Sequence, residues 1–404
     1  MSKKVLEGIR VLEWGMLQQG PMATAYLADM GAEVIKLEAL KGDTARYYAH
    51  FGPLDIATPD KSNGYFQTLN RGKKSISVDL KSPEGRALVL KLVEKVDVFI
   101  TNVRFGVPEK LGLGYEDLKA VNPKLIYAHA TGCGTKGPDR NSAMIDYIAM
   151  ARTGIMTSIG DGKEPGFLQG AFSDQIGAIC LSWGVVTALL ARERLGIGQK
   201  VDINLLSAFA NLNQINTSLY SWAKEPLPPN DRTHPTNPIS NYYECKDGRW
   251  IMLGSFVPSS VERFFGALGM DEIAKNEKYT TMEGVAADSE FFFDTMVKVM
   301  KTKTCEEWRV FCNAHDIMNY PIATYEEFHK DPQMLANDGF YRVDYPGIEE
   351  PIQIVGAPFI MSETPVSMEK WAPKLGQDTD SVFIELCQIA PEELNALRGK
   401  KVIR

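Results

Sequence analysis

Within its first 38 residues the chain spells strand, helix, strand, and that order limits what it can fold into. Gly8-Ile9-Arg10-Val11-Leu12-Glu13-Trp14 is short, apolar and β-prone, and Gly15 to Gly20 follows as a loop. Pro21 suits the opening turn of a helix running to about Met30, because its fixed φ and missing N–H cost nothing there. Gly31 closes that helix, and Glu33-Val34-Ile35-Lys36-Leu37-Glu38 is a second strand. Two strands joined by one helix lie parallel with a right-handed crossover. The alternation continues with a strand at Ser75–Leu80, a helix at Pro83–Val96 and a strand at Val98–Thr101. A loop or short helix at Pro108–Gly112 and a strand at Leu125–Ala130 follow. The expected fold class is α/β, a doubly wound parallel sheet.

Farther along, the pattern predicts a helix from Asp174 to Arg194, a strand at 199–206 and a helix at 207–223. The proline-rich stretch 225–238 reads as a linker, which separates a large domain (1–222, linker 223–240) from a smaller α+β domain (241–332). The latter opens on a hairpin across Lys246-Asp247-Gly248. The remainder, 333–404, is strand- and proline-rich and ends in a helix near 380–387.

Charge and cysteine usage narrow the function. With 44 Lys+Arg against 51 Asp+Glu, the net charge of −7 argues against a broad nucleic-acid or anionic-membrane surface. The apolar run 176–191 is interrupted by Gly177, Ser182, Gly184 and Thr187, which fits a buried core helix better than a membrane span. The N-terminus shows no secretory pattern. Cys133, Cys180, Cys245, Cys305, Cys312 and Cys387 form no CxxC pair or metal-ligand spacing, so free thiols in a reducing cytoplasm are expected.

Several positions have chemical potential. The Gly15–Pro21 loop leads into a helix N-terminus, where free N–H groups favour anions, but it lacks GxGxxG. Gly42-Asp43-Thr44-Ala45-Arg46 and Asn70-Arg71-Gly72-Lys73-Lys74 put cations at turns on the sheet edge, where α/β proteins bind ligands. Asp174 precedes a strongly apolar helix. It reads as an N-cap, and the same place would favour an ionised carboxylate fit for nucleophilic attack. His129 reads as a core residue. Neither GxSxG, HExxH nor a Ser-His-Asp order is present.

Taken in order, many segments resemble the class III coenzyme A-transferases. They include Gly8–Trp14, Gly20-Pro21, Gly31–Glu38, Asn70–Leu80, Leu111–Leu118, Asn122–Tyr127 and Gly134-Thr-Lys-Gly-Pro138. Ser173-Asp174-Gln175, Gly196–Asp202, Asp331-Pro332-Gln333, Gly356-Ala357-Pro358 and Ala372–Gly376 complete the set. The resemblance implies a large domain completed by the C-terminal part, 333–404, and a homodimer of interlocked rings. It implies that Asp174 is a covalent nucleophile forming an aspartyl-CoA thioester and that Gln18 lies beside it. Leu17, Asn102 and Lys110 match nucleotide-contacting positions, and Arg46, Asn70, Lys73, Lys74 and Lys136 are further candidates. Coenzyme A and acyl-CoA enter as substrates, with no permanently bound cofactor and no metal. Ala39 departs from relatives that carry Arg there, so one phosphate contact is missing or supplied elsewhere.

The same fold serves acyl-CoA racemases, but Ile145 and Val257 stand where those enzymes need a proton-shuttling His and Glu. A nucleotide-binding protein without catalysis is the alternative of another class. Gly254-Ser-Phe-Val-Pro258 is not the glycine-rich loop of formyl-CoA transferase. The segment Ala336–Tyr341 is similar to transferases acting on aromatic or 2-hydroxy acids. Trp14, Tyr147 and Tyr243 are aromatics for an acyl pocket or, more simply, for the core.

Overall fold

The computed structural model describes residues 3–160, 163–229, 231–255 and 257–404. Phe256 of the segment 254–258 and the N-terminal Met1 and Ser2 thus lie outside the described residues. The chain divides into two compact units. The first comprises 1–154, 168–222 and 333–404, and the second 155–167 and 223–332.

The chain opens with β1 (Arg10–Trp14), α1 (Gln19–Asp29) and β2 (Glu33–Glu38). A two-residue-strand hairpin follows, β3 (His50–Phe51) and β4 (Leu54–Asp55). Then come α2 (Gly64–Asn70), β5 (Lys73–Ser77), α3 (Pro83–Val93) and β6 (Val98–Thr101). α4 (Val107–Lys110), α5 (Tyr115–Val121) and β7 (Ile126–Thr131) precede α6 (Asp146–Arg152) and the one-turn α7 (Ile155–Ser158). The long α8 (Phe172–Leu195), β8 (Gln199–Asn204), α9 (Leu205–Leu212) and α10 (Gln214–Ala223) follow. The expected single helix over 207–223 is two helices, broken at Asn213.

The six-stranded sheet runs β5-β2-β1-β6-β7-β8, and every neighbouring pair is parallel. Side chains alternate between its faces. Val11, Val34, Val98, Ile100 and Ala128 pack with Ala178, Leu181 and Val185 of α8 and with Leu27 of α1. Leu12, Ile35, Ile76, Phe99 and Tyr127 pack on the other side with Leu88 and Leu92 of α3 and Leu118 of α5. Both faces are therefore covered, as a parallel sheet requires. α8 is long and apolar enough to cross a membrane by length and composition, with a mean hydropathy of 1.5 in its most apolar window. Its inner face is buried on the sheet.

The second unit has a three-stranded antiparallel sheet, β11-β10-β9, formed by β9 (Tyr242–Glu244), β10 (Trp250–Gly254) and β11 (Met318–Pro321). Its core is aromatic, with Phe264, Phe265, Phe292 and Trp308 fully buried. Ile155–Phe167, which the sequence pattern placed in the large domain, clusters with this unit.

The C-terminal stretch returns to the first unit. It carries the hairpin β12 (Phe340–Val343) and β13 (Ile352–Val355) and helices at Thr379–Cys387 and Pro391–Gly399. Beyond β5, Asp79 N–H donates to Val402 O at 2.8 Å, and Val78 bridges Ile403. Val382, Phe383 and Leu394 join the α3-side core. The chain end thus closes the β5 edge, which would otherwise offer unpaired backbone groups.

Candidate active site

In the strand order the chain reverses direction between β1 and β6, and open α/β sheets form their ligand crevice at such a point, beyond the carboxyl ends of the strands. The β1–α1 loop fills it. Asn102, directly after β6, accepts from Met16 N–H through Oδ1 and donates to Met16 O through Nδ2, each at 2.9 Å. The next residue, Leu17, has φ +60°, which is costly for a branched side chain and is seen where surroundings over-determine the backbone. Its N–H donates to Asp43 Oδ1 at 3.3 Å.

Below the loop lies a buried ionic cluster. Glu13, Lys36 and Lys73 have no exposed side-chain surface. Lys36 Nζ donates to Glu13 Oε1 at 2.9 Å and to Gly15 O at 3.0 Å, and lies 3.1 Å from Asp43 Oδ2. Lys73 Nζ donates to Glu13 Oε2, Pro21 O and Asn70 Oδ1 at 2.6, 2.8 and 2.9 Å. Burial alone would push the Glu13 carboxyl up, but the two ammonium groups overcome this and hold it down at about 2.

The cations expected to face a ligand at these turns have partners within the fold. Lys73 is buried, and its three protons already have acceptors, leaving none for a phosphate. Asn70 is fully buried beside it. Arg46 forms a two-pronged pair with Glu38 at 2.7 and 2.6 Å, donates to Pro373 O, and stacks over Phe66 at 4.0 Å. Lys74 pairs with Glu33 at 2.7 Å. Lys110 and Lys136 are exposed, without an ion pair among the described residues.

Asp174 is the third residue of α8, not its cap. The entry residue, Ala171, is left-handed at φ +58° and makes no side-chain cap bond. The cap comes from Asp146, 28 residues upstream at the start of α6. Its Oδ1 accepts from Ser173 N–H at 2.5 Å and Asp174 N–H at 3.0 Å. Asp146 is buried, and its Oδ2 has no hydrogen-bond partner among the described residues. The Asp174 carboxylate likewise makes no hydrogen bond among them. Burial first, and the Asp146 charge second, push its carboxyl up to about 7. The helix end that the sequence suggested would ionise Asp174 is thus spent on Asp146.

Asp174 lines a cavity of about 340 Å³ with Leu17, Gln18, Asn102, Arg104 and Arg140. Gln18 and Asp174 are therefore brought together. Tyr65 OH donates to Gln18 Oε1 at 3.1 Å, which leaves the Gln18 amide N–H groups without a partner among the described residues. Gln19, also in the wall, is buried beneath the first turn of α8; a Cβ on Gly177 would come within 2.5 Å of its amide nitrogen.

Arg104 and Arg140 were not singled out by the sequence. Neither makes an ion pair among the described residues, and Arg140 rests over the Phe105 ring at 5.7 Å. Their signal was faint: Arg104 stands two residues past Asn102, and Arg140 follows the Gly134–Pro138 block. Asp146 and Tyr65 were also missed. Of the aromatics named from sequence, Tyr243 is buried in the second unit's core and donates to Pro238 O at 2.9 Å. Trp14 packs against the α3-side core.

Residues 6–379 match the model of CoA-transferase family III, and the chain belongs to that family. It is 30% identical to an (R)-2-hydroxy-4-methylpentanoate CoA-transferase of Clostridioides difficile, over 99% of this chain and all of the relative. It is 34% identical to a succinate–glutarate CoA-transferase of Agrobacterium fabrum, over 95% of this chain and 96% of that one. Among solved structures, a CAIB/BAIF family protein from Brucella suis superposes with a TM-score of 0.84 at 27% identity, covering 96% of this chain and all of the other. The chain is a CoA-transferase.

Proposed function

We propose that the protein moves coenzyme A from an acyl-CoA to a free carboxylic acid through an aspartyl-CoA thioester on Asp174. The observation that supports this most is a carboxylate with no hydrogen-bond partner among the described residues, lining the same cavity as an amide with free N–H groups. An Asp174 oxygen attacks the thioester carbonyl. The C–S bond breaks, leaving a mixed anhydride and CoA thiolate. The thiolate then attacks the aspartyl carbonyl, releasing the first acid as its carboxylate and leaving aspartyl-CoA. The incoming acid reverses both steps, so the thioester bond is conserved. Gln18 Nε2 donates to the oxyanion of each tetrahedral intermediate.

Arg104 and Arg140 are the phosphate contacts that replace the arginine missing at Ala39, with Lys110 and Lys136 as outer cations. Asn102 shapes the loop the nucleotide lies on. The racemase reading is not favoured: Ile145 is 63% exposed beside Asp146, and an alkyl side chain moves no proton.

The working form is a cytoplasmic homodimer. Trp183 and Leu190 on the outer face of α8 are 67% and 56% exposed, and Trp222 of α10 is 87% exposed. α10 buries no residue at all. Such a surface fits an interface between subunits, and light scattering on the eluting protein measures the mass. The mechanism is tested by incubating the protein with an acyl-CoA and hydroxylamine and mapping the hydroxamate by mass spectrometry. The expected site is Asp174. Full transfer activity in Asp174→Ala would sink the mechanism.

A further inference from the structure

We propose that Gln19 is a further catalytic residue, whose buried side-chain amide donates to the oxygen of Asp174 itself when CoA thiolate attacks the aspartyl carbonyl. The inference rests on Asp174 being the site of acyl transfer and adds a group for the second of its two chemical steps.

The two steps build their oxyanions on different carbons. In the first, an Asp174 oxygen adds to the acyl carbon of the thioester, and charge develops on the substrate's carbonyl oxygen. In the second, the thiolate sulfur adds to Asp174 Cγ. The carbonyl electron pair moves onto the Asp174 oxygen. It re-forms the double bond as the anhydride C–O bond breaks and the first acid leaves as its carboxylate. The first oxygen comes and goes with the substrate, but the second belongs to α8. A donor preorganised for the second oxygen has to be packed on α8.

Gln19 meets that requirement. It is the first residue of α1, and its side chain is buried where Gln18 beside it is half-buried. Gln19 Nε2 has no hydrogen-bond partner among the described residues. A buried amide N–H without an acceptor is rare in folded proteins, because nothing replaces the water it gave up. The amide lies against Gly177, where an added Cβ would sit 2.5 Å from Nε2 and 3.1 Å from Cδ. A side chain there would displace it.

Gly177 follows Asp174 by three residues, and positions i and i+3 are neighbours on one helix face. The amide thus reaches the part of α8 that carries the carboxylate, and Gln19 and Asp174 line one cavity. An unpaired donor and an unpaired carboxylate share a wall. With no other acceptor among the described residues competing for the amide, it serves the developing charge without first breaking a bond.

The test uses the full chain with acetyl-CoA, succinyl-CoA and phenylacetyl-CoA, each with its free acid as isotopically labelled acceptor, and proceeds with the donor turned over fastest. Gln19→Met keeps length and bulk and removes the N–H groups. Expected is a kcat at least about tenfold lower, with KM for acyl-CoA within about twofold of the parent. The melting temperature should be unchanged or higher, because no hydrogen bond is lost. Rapid quenching and intact-mass spectrometry read the step: the acyl adduct should accumulate over the CoA adduct, relative to the parent. Gly177→Ala, which keeps Gln19 but displaces its amide, should show the same change. Parent kcat in Gln19→Met, an unaltered adduct ratio, or a rise in KM alone would overturn the proposal. So would a lower melting temperature, which would make the amide a structural bond. If the parent still forms Asp174 hydroxamate in those cases, the transferase mechanism stands and only the part given to Gln19 is wrong. If no donor yields hydroxamate with the parent, the mechanism itself fails and takes this inference with it.

Discussion

Replacing Asp174 with asparagine should stabilise the protein, and most at neutral to alkaline pH. The folded chain raises this carboxyl from an ordinary 3.8 to about 7. A raised acid binds its proton more tightly when folded, so the group's favourable contribution is complete below pH 3.8 and is lost as pH climbs through 7. Three pH units at about 1.4 kcal/mol each set an upper bound of about 4 kcal/mol. The side chain is partly exposed, and screening by water brings this to about 2 kcal/mol. Asparagine keeps the shape without the charge. Relative to the parent, the variant should gain about 2 kcal/mol at pH 8 and under about 1 kcal/mol at pH 5. For a unit of this size that is a rise in melting temperature of about 4–8 °C at pH 8. Paired urea titrations at the two pH values measure it. An equal offset at both, or a less stable variant at pH 8, would refute the reasoning. A buried charge retained at a stability cost is the usual exchange between activity and stability.

Asp146→Asn keeps an oxygen for the two α8 N–H groups but removes the neighbouring anion. Asp174 should then ionise at lower pH, moving the acid limb of the kcat/KM profile downward; an unmoved limb would show that Asp146 acts only as a cap. Arg104→Ala and Arg140→Ala should each raise KM for acyl-CoA about tenfold with little change in kcat, and the effect should shrink at high salt. Lys73→Met leaves Glu13 paired with Lys36 but strips the acceptors at Glu13 Oε2, Pro21 O and Asn70 Oδ1 of their donor, and should cost about 1–3 kcal/mol in urea unfolding. Lys74→Ala, at a half-exposed pair, should cost under about 1 kcal/mol.

The sheet was readable because its signals are local. Short, nearly continuous apolar runs mark β1, β2, β6 and β7, and Gly31 and Pro83 punctuate them. The site was readable only in part. Asp174 and Gln18 are named only through resemblance to a family, and nothing local shows that the helix carrying Asp174 is capped by a residue 28 positions away. The partners of the turn cations are equally distant in sequence. Lys73 meets Glu13 across 60 residues of sequence, and no periodicity reports that pairing. Beside Ile145, nothing local marks the Asp146 carboxylate as the cap of α8. Tyr65 is one aromatic among many until its hydroxyl is seen on Gln18.

The β1–α1 loop is held at Gly15 O and Pro21 O from within the sheet and at Met16 and Leu17 from its neighbours. Such a loop is a mount rather than a hinge. Gln18 rides on it at a fixed height, so a change of acid would fall to the other walls of the cavity. New substrates then become accessible through a few exposed positions, while the catalytic bench and the ionic floor beneath it stay as they are.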